Sequence, residues 1–167
     1  LLDWLNLGME KFVTAITSNG GMVNKFTGDG FLAVFGAPVL QPPETSAKAA
    51  IDTAIELQKQ VKELQLELRK DDLPPLRLRV GIHSGRIIAG SMGGAERIEY
   101  AVIGDSVNVA ARLESLDKEK MSNDCRVLVS EETLNLLDTS SLKLNDWGLC
   151  KVKGRENLVR VSEILDI

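Results

Sequence analysis

The sequence predicts an α+β sandwich, with helices packed on a mainly antiparallel sheet. Three observations point there. Leu5, Met9, Phe12, Val13 and Ile16 recur at three- and four-residue steps, and Ala47, Ala50, Ile51, Ala54, Leu57, Val61, Leu64 and Leu68 do the same over a longer stretch. Each set makes one apolar helical stripe. Strand-like runs stand beside tight glycine turns, which favours hairpins over long parallel crossovers. The 167 residues suffice for one domain and fall short of two ordinary ones.

Each element follows in order. The first helix ends at Asn19-Gly20-Gly21, where glycine takes a left-handed cap without strain. Residues 22–27 and 31–35 read as two strands around Gly28-Asp29-Gly30, a tight hairpin turn. Proline and glycine mark a loop at 36–43, and the long second helix follows until Asp71-Asp72 and Pro74-Pro75 stop it. Residues 76–82 alternate as a strand should. Gly85, Gly90, Gly93 and Gly94 then punctuate a second strand near 87–89 and a turn or hairpin arm, before a strand at 98–103. Gly104-Asp105-Ser106 opens a helix running to about 116, with Asp105 or Ser106 as its cap. A short strand at 126–129 leads to a helix capped by Ser130-Glu131-Glu132. Residues 142–149 and 158–165 are terminal strands joined by the basic loop Lys151-Val152-Lys153-Gly154-Arg155.

Composition removes several function classes. Hydrophobic residues are 44% and charged residues 26%, so the chain is not globally disordered or low in complexity. The net charge of −4 argues against a general nucleic-acid binder. No apolar run approaches a membrane span, and no signal peptide is expected at the start. The opening Leu1-Leu2-Asp3-Trp4-Leu5 enters a helix directly, as expected of a piece cut from a longer chain. Cys125 and Cys150 lack metal spacing and read as reduced thiols of a cytosolic protein. With His83 as the single histidine, a multi-histidine zinc site is excluded and Ser-His-Asp chemistry has little room. His83 reads as a hydrogen-bonded structural residue.

Four features could carry chemistry. Asp29 stands between two glycines at a hairpin tip, which suits a hard cation such as Mg²⁺, and equally suits a simple Asp-Gly turn. Lys25 lies four residues earlier, on the same face if the strand stays regular to the tip; alternatively it is an ordinary solvent-facing lysine. Asn108 and Arg112 share one face of a predicted helix near its N-terminus, where an amide and a guanidinium can stabilise an anion. The plainer alternative is a capping amide and a surface arginine. Lys151, Lys153 and Arg155 around Gly154 suit a polyphosphate or a solvated turn.

Together these features carry a resemblance. Val23-Asn24-Lys25-Phe26-Thr27-Gly28-Asp29-Gly30-Phe31-Leu32-Ala33-Val34-Phe35-Gly36 resembles the central hairpin of class III adenylate and guanylate cyclase catalytic domains. Arg79-Val80-Gly81-Ile82-His83-Ser84-Gly85 resembles that family's glycine-punctuated strand, and the run from Tyr100 through Gly104-Asp105-Ser106-Val107-Asn108 to Arg112-Leu113-Glu114 its catalytic helix entry. Val152-Lys153-Gly154 resembles its phosphate-binding lysine loop. The similarity runs through the whole chain in order.

The resemblance implies a ferredoxin-like, palm-type α+β sandwich over residues 1–167 with a small C-terminal α/β subdomain. It implies ATP conversion to 3′,5′-cyclic AMP and pyrophosphate with two Mg²⁺ or Mn²⁺ ions per site. It implies a homodimer of the bacterial type with sites at the interface. Asp29 then matches a metal ligand. Asn108 and Arg112 match the catalytic pair, orienting the ribose and stabilising α-phosphate charge. Lys25, Ala101, Ile103, Lys153 and Arg155 match substrate-binding positions. A cytoplasmic catalytic domain in intracellular signalling follows, with upstream sensor or regulatory domains in the full chain, no nucleic-acid partner and no membrane contact of its own. Two departures stand out. The family's first strand, bearing its first metal aspartate, and the phosphate loop after it are not in this sequence. Ala101 stands where an adenine-reading Asp or Thr is usual. Guanylate cyclase activity is therefore the runner-up, and a catalytically silent cyclase-like regulatory module or another palm-like phosphoryl-transfer domain are further alternatives. Lys25, a pure donor, suits adenine N1 better than the N1–H of guanine.

Overall fold

The structure, a computed structural model, describes residues 2–152 and 157–165, with the side chains of 2–4 and 27 outside the description. The chain runs α1 (Leu2–Ser18), β1 (Met22–Thr27), β2 (Gly30–Val34), α2 (Pro43–Lys70), β3 (Leu78–Ile82), β4 (Ile88–Met92), β5 (Glu99–Ile103), α3 (Asp105–Ser115), β6 (Cys125–Ser130), α4 (Glu131–Leu134), β7 (Leu144–Cys150) and β8 (Val159–Ile164). The α+β architecture expected from the sequence is present. The strands form three sheets among the described residues: the hairpin β1-β2, the hairpin β4-β5 and a four-stranded sheet ordered β3-β6-β8-β7. Every strand pair is antiparallel except β3 with β6.

Local chemistry sets the boundaries. α1 closes with Gly20 at φ 83°, while Gly20 N–H donates to the Thr17 carbonyl and Gly21 N–H to that of Ile16. That is a Schellman cap, as the glycine pair predicts. α2 ends the same way without glycine: Asp72 takes φ 54°, and Leu73 N–H donates to the Leu68 carbonyl. In the first hairpin Thr27 pairs with Gly30, leaving Gly28 and Asp29 as a two-residue loop. Only Gly28 has positive φ, so the turn follows the II′ pattern rather than I′. The arm strand expected near 87–89 reaches Met92.

The helices cover both faces of the four-stranded sheet. β6 is buried along its whole length because its alternate residues serve two layers. Cys125, Val127 and Val129 pack with Phe12, Ala15, Ile51, Leu57, Val61 and Leu64 of α1 and α2. Leu128 packs with Val109 and Leu113 of α3 and with Val159 and Val161 of β8. The uninterrupted apolar core of this strand is what a two-faced burial requires.

β3 carries α3 unusually close. A Cβ on Gly81 would lie 2.3 Å from the Ala110 carbonyl oxygen and 2.5 Å from the Glu114 nitrogen. Only a residue without a side chain lets the helix backbone rest there. No helix among the described residues is long and apolar enough to cross a membrane. Cys125 is buried, Cys150 is half-buried, and no disulfide joins them.

Candidate active site

α3 is the centre of the candidate site. Val109 and Leu113 are its buried side, so Asn108 and Arg112, one turn apart, face outward and are exposed. Ser115, one turn below Ala111, folds its hydroxyl back onto the Ala111 and Arg112 carbonyls. The outer face is thus short in side chain beside the guanidinium.

The cap expected from Asp105 or Ser106 is not formed by either. The N-cap is Gly104, without a side-chain hydrogen bond. Gly104 sits at φ 153°, where a Cβ would meet the Arg86 carbonyl oxygen at 3.0 Å. Ser106 Oγ donates to that same carbonyl at 3.0 Å, tying the start of α3 to the loop after β3. The hydroxyl therefore fixes the helix to its neighbour instead of to its own backbone. Ser130 behaves likewise: it precedes the four-residue α4 and makes no cap bond, sharing a 2.8 Å hydrogen bond with His83 Nδ1 instead. His83 is structural, as the sequence suggested.

β5 delivers two further candidates. Ile88 pairs with Ile103, Gly90 with Ala101 and Met92 with Glu99, so these six lie on one face of the arm. Ile88, Met92 and Ile103 are 76%, 56% and 51% exposed, while Ala101 is half-buried among them. On the other face Val102 is buried. The arm therefore presents an open apolar surface that contains Ala101 and Ile103.

β1 joins this surface through a residue the sequence reading passed over. The β1-β2 register shifts between Val23 and Lys25, making Asn24 a bulge residue. Its Nδ2 donates to the Tyr100 carbonyl at 2.8 Å. Lys25 and Ala101 are each one residue along from that bond, and Lys25 is exposed. The first hairpin and the arm are thereby joined at the positions matched to base recognition.

Asp29 is exposed in its turn. The condition set for Lys25 and Asp29 to share a face is not met, because β1 ends at Thr27 and Asp29 belongs to the loop. Asp29 offers one exposed carboxylate beside Gly28, whose own position is open. Among the described residues no three His, Cys, Asp or Glu side chains cluster as a metal site. One carboxylate fits Mg²⁺ as that ion is held with nucleotide phosphates, which supply other ligands. Lys153 and Arg155 lie outside the described residues.

A second missed feature lies beneath α3. Arg126 of β6 is fully buried. Its Nη1 donates to the carbonyls of Asp117 at 2.6 Å and Lys120 at 3.1 Å, and its Nη2 to that of Glu114 at 2.9 Å. Burial, and then the nearby charge of Arg79, push its pKa down, while Glu163, Glu114 and Asp117 oppose this. Glu163 is itself buried and accepts from Trp147 Nε1 and Ser122 Oγ. An arginine inside the apolar run Cys125-Arg126-Val127-Leu128-Val129 was the sequence signal, since charge is rarely fully buried unless paired.

Comparison with known proteins accords with this geometry. The family model described as the adenylate and guanylate cyclase catalytic domain matches residues 1–162. An adenylate cyclase of Anabaena cylindrica is 32% identical over 157 residues, covering 90% of this chain and 29% of that protein. The chain thus spans under a third of that curated relative. The adenylyl cyclase CyaB from P. aeruginosa shares the fold with a TM-score of 0.88 and 31% identity, over 100% of this chain and 83% of that one. The guanylyl cyclase Cya2 does so with a TM-score of 0.83 and 27% identity, over 99% and 80%. The chain belongs to the adenylate and guanylate cyclase catalytic domain family.

Proposed function

We propose that this domain cyclises ATP to 3′,5′-cyclic AMP and pyrophosphate, at sites shared between two copies of the chain. The observation that carries the reading is the outward face of α3, with Asn108 and Arg112 one turn apart on a helix seated directly on Gly81. In this reading the ribose 3′-hydroxyl attacks the α-phosphorus and pyrophosphate leaves. Arg112 donates to the α-phosphate oxygens as their charge grows, and Asn108 holds the ribose so that the hydroxyl is in line. Preorganised donors of this kind supply roughly 3–4 kcal/mol each. Lys25 donates to adenine N1. Ala101 and Ile103 flank the base, with backbone or water in place of the missing polar partner. Lys153 and Arg155 hold the terminal phosphates. Asp29 binds divalent cation. Two Mg²⁺ or Mn²⁺ ions, when bound, supply charge neutralisation and a more acidic hydroxyl.

The homodimer is supported by the arm. Ile88, Met92 and Ile103 expose apolar side chains on one face of the arm, as a second copy would cover. Asp29 of one copy then works with Asn108 and Arg112 of the other. Ala101 favours one second reading, GTP as substrate, because no side chain there selects adenine.

Turnover of ATP and GTP by the full-length protein, with Mg²⁺ or Mn²⁺, tests the proposal. Cyclic AMP from ATP with little product from GTP is the expected result. Mainly cyclic GMP supports the second reading. A dimer that forms and makes neither product is a silent regulatory module. Chains bearing Asp29→Ala and Arg112→Ala are each expected to lose about a hundred- to a thousand-fold in rate and to recover activity when mixed; a mixture no more active than either chain refutes the shared site.

A further inference from the structure

The two hydrogen-bonding arginines beneath α3 are register partners. β3 and β6 run parallel with Arg79 beside Arg126, on the same sheet face as Gly81 and Leu128. Both reach the same residue of the helix above. Arg79 Nε pairs with the Glu114 carboxylate at 3.0 Å, and Arg126 Nη2 takes the Glu114 carbonyl. Arg126 then spans onward to the Asp117 and Lys120 carbonyls, just past the helix end. The Glu114 carbonyl is one of the last four of α3, which have no partner within the helix. The turn beyond is tight: Asp117 has φ 40°, and Lys120 N–H donates back to its carbonyl. Trp147 walls this assembly, with Arg126 5.4 Å and Lys120 4.1 Å from its ring centroid. Glu114 lies two residues after Arg112.

We propose that Arg126, seconded by Arg79, is a positioning residue that sets where α3 presents Arg112 and Asn108. This rests on the function proposed above and adds a part to it. A fixed guanidinium fork seizes three carbonyls at once, which a lysine ammonium cannot reproduce. Packing on Gly81 sets the height of α3 over the sheet; the two arginines fix its far end. Arg112 acts on charge that develops only in the transition state, so losing its placement lowers kcat and spares KM.

The test is Arg126→Lys in the full-length protein, which keeps the charge facing Glu163. Arg79→Met, at a half-buried side chain, is the second variant should the first not fold. Amides in the last turn of α3 are expected to exchange about tenfold faster or more, with those of α2 unchanged. This readout needs no turnover, so it decides the clamp even if the protein makes no cyclic nucleotide. In the active enzyme kcat falls by roughly ten- to a hundred-fold with KM within about twofold. In an Arg112→Ala background, assayed on the residual turnover that loss of one such donor leaves, the same substitution is expected to cost clearly less than in the wild type, because the group nearest the clamped helix end is gone. Unchanged α3 exchange overturns the proposal. So does an equal loss of kcat in both backgrounds, or faster exchange in α2 as well, since each marks a general loss of structure.

Discussion

Substituting Gly81 by alanine tests how strictly the sheet seats the candidate catalytic helix. The glycine has no left-handed φ, so the effect is one of space alone. The added methyl would stand 2.3 Å from the Ala110 carbonyl oxygen, 2.5 Å from the Glu114 nitrogen and 3.0 Å from Leu113 Cβ. Two of these are backbone atoms, which cannot rotate away. Restoring 3.4 Å, the start of ordinary contact, needs about 1.1 Å of helix movement at the nearest point. Overpacking of this kind costs roughly 1–3 kcal/mol. For a domain this size that is a fall in Tm of about 2–12 °C. A displacement near 1 Å at a reacting group can cost about a hundred-fold in rate. Calorimetry of Gly81→Ala beside wild type, with turnover at a temperature where both are folded, measures the two effects separately. Gly94→Ala is the control: its methyl would meet nothing within 4 Å, and its φ is not left-handed. A Gly81→Ala protein with unchanged Tm and kcat within twofold would show that α3 is not seated by that contact.

Asp72→Gly is expected to stabilise the protein by about 0.5–1 kcal/mol, because Asp72 holds φ 54° at the end of α2, where its negative charge also opposes the helix dipole. Asp72→Ala separates the causes in chemical unfolding: an equal gain from alanine would assign the effect to charge and not to backbone. The Asp146 carboxyl is held below its ordinary value of 3.8, first by the Gly148 N–H at 2.8 Å and then by Arg160. Its contribution is complete above that ordinary value and is lost as pH falls through the folded one. The stability difference between wild type and Asp146→Asn should therefore shrink on acidification below about pH 4; a constant difference contradicts the assignment. Burial raises the Cys150 thiol pKa, so alkylation at pH 8 should be slower than for an unhindered peptide thiol, and an equal rate would refute it.

Periodicity made most of the fold legible. The stripe from Ala47 to Leu68 is the buried side of α2, and Gly20 caps α1 as expected. Glycine turns located both hairpins. Tertiary partners were not legible locally. The unbroken run around Val127 fits burial on both faces, but nothing in it says which helix covers which face, and α3 lies on the opposite side of the sheet from α2. Ser130 takes the N-cap position of α4 as expected and Ser106 does not take that of α3, but neither hydroxyl makes a capping bond, for one reason. Each hydroxyl found a partner distant in sequence, the Arg86 carbonyl and His83, in competition with its own helix N-terminus.

For the site, the spacing of Asn108 and Arg112 was enough to place them on one face, because one helical turn fixes that relation wherever the helix sits. What the spacing cannot fix is the helix itself. That depends on Gly81 three elements earlier, on Ser106 bound across to Arg86, and on Arg126 one element later. None names its partner in its own window: a glycine in a strand, a serine at a helix start, an arginine in an apolar run. Their shared function exists only because β3 and β6 lie side by side under α3. Residues that touch a ligand can be recognised by type and spacing, whereas residues that aim them are recognisable only by what they are packed against. Substitutions in this domain that abolish activity without touching the open face of α3 should therefore concentrate on the sheet surface beneath it.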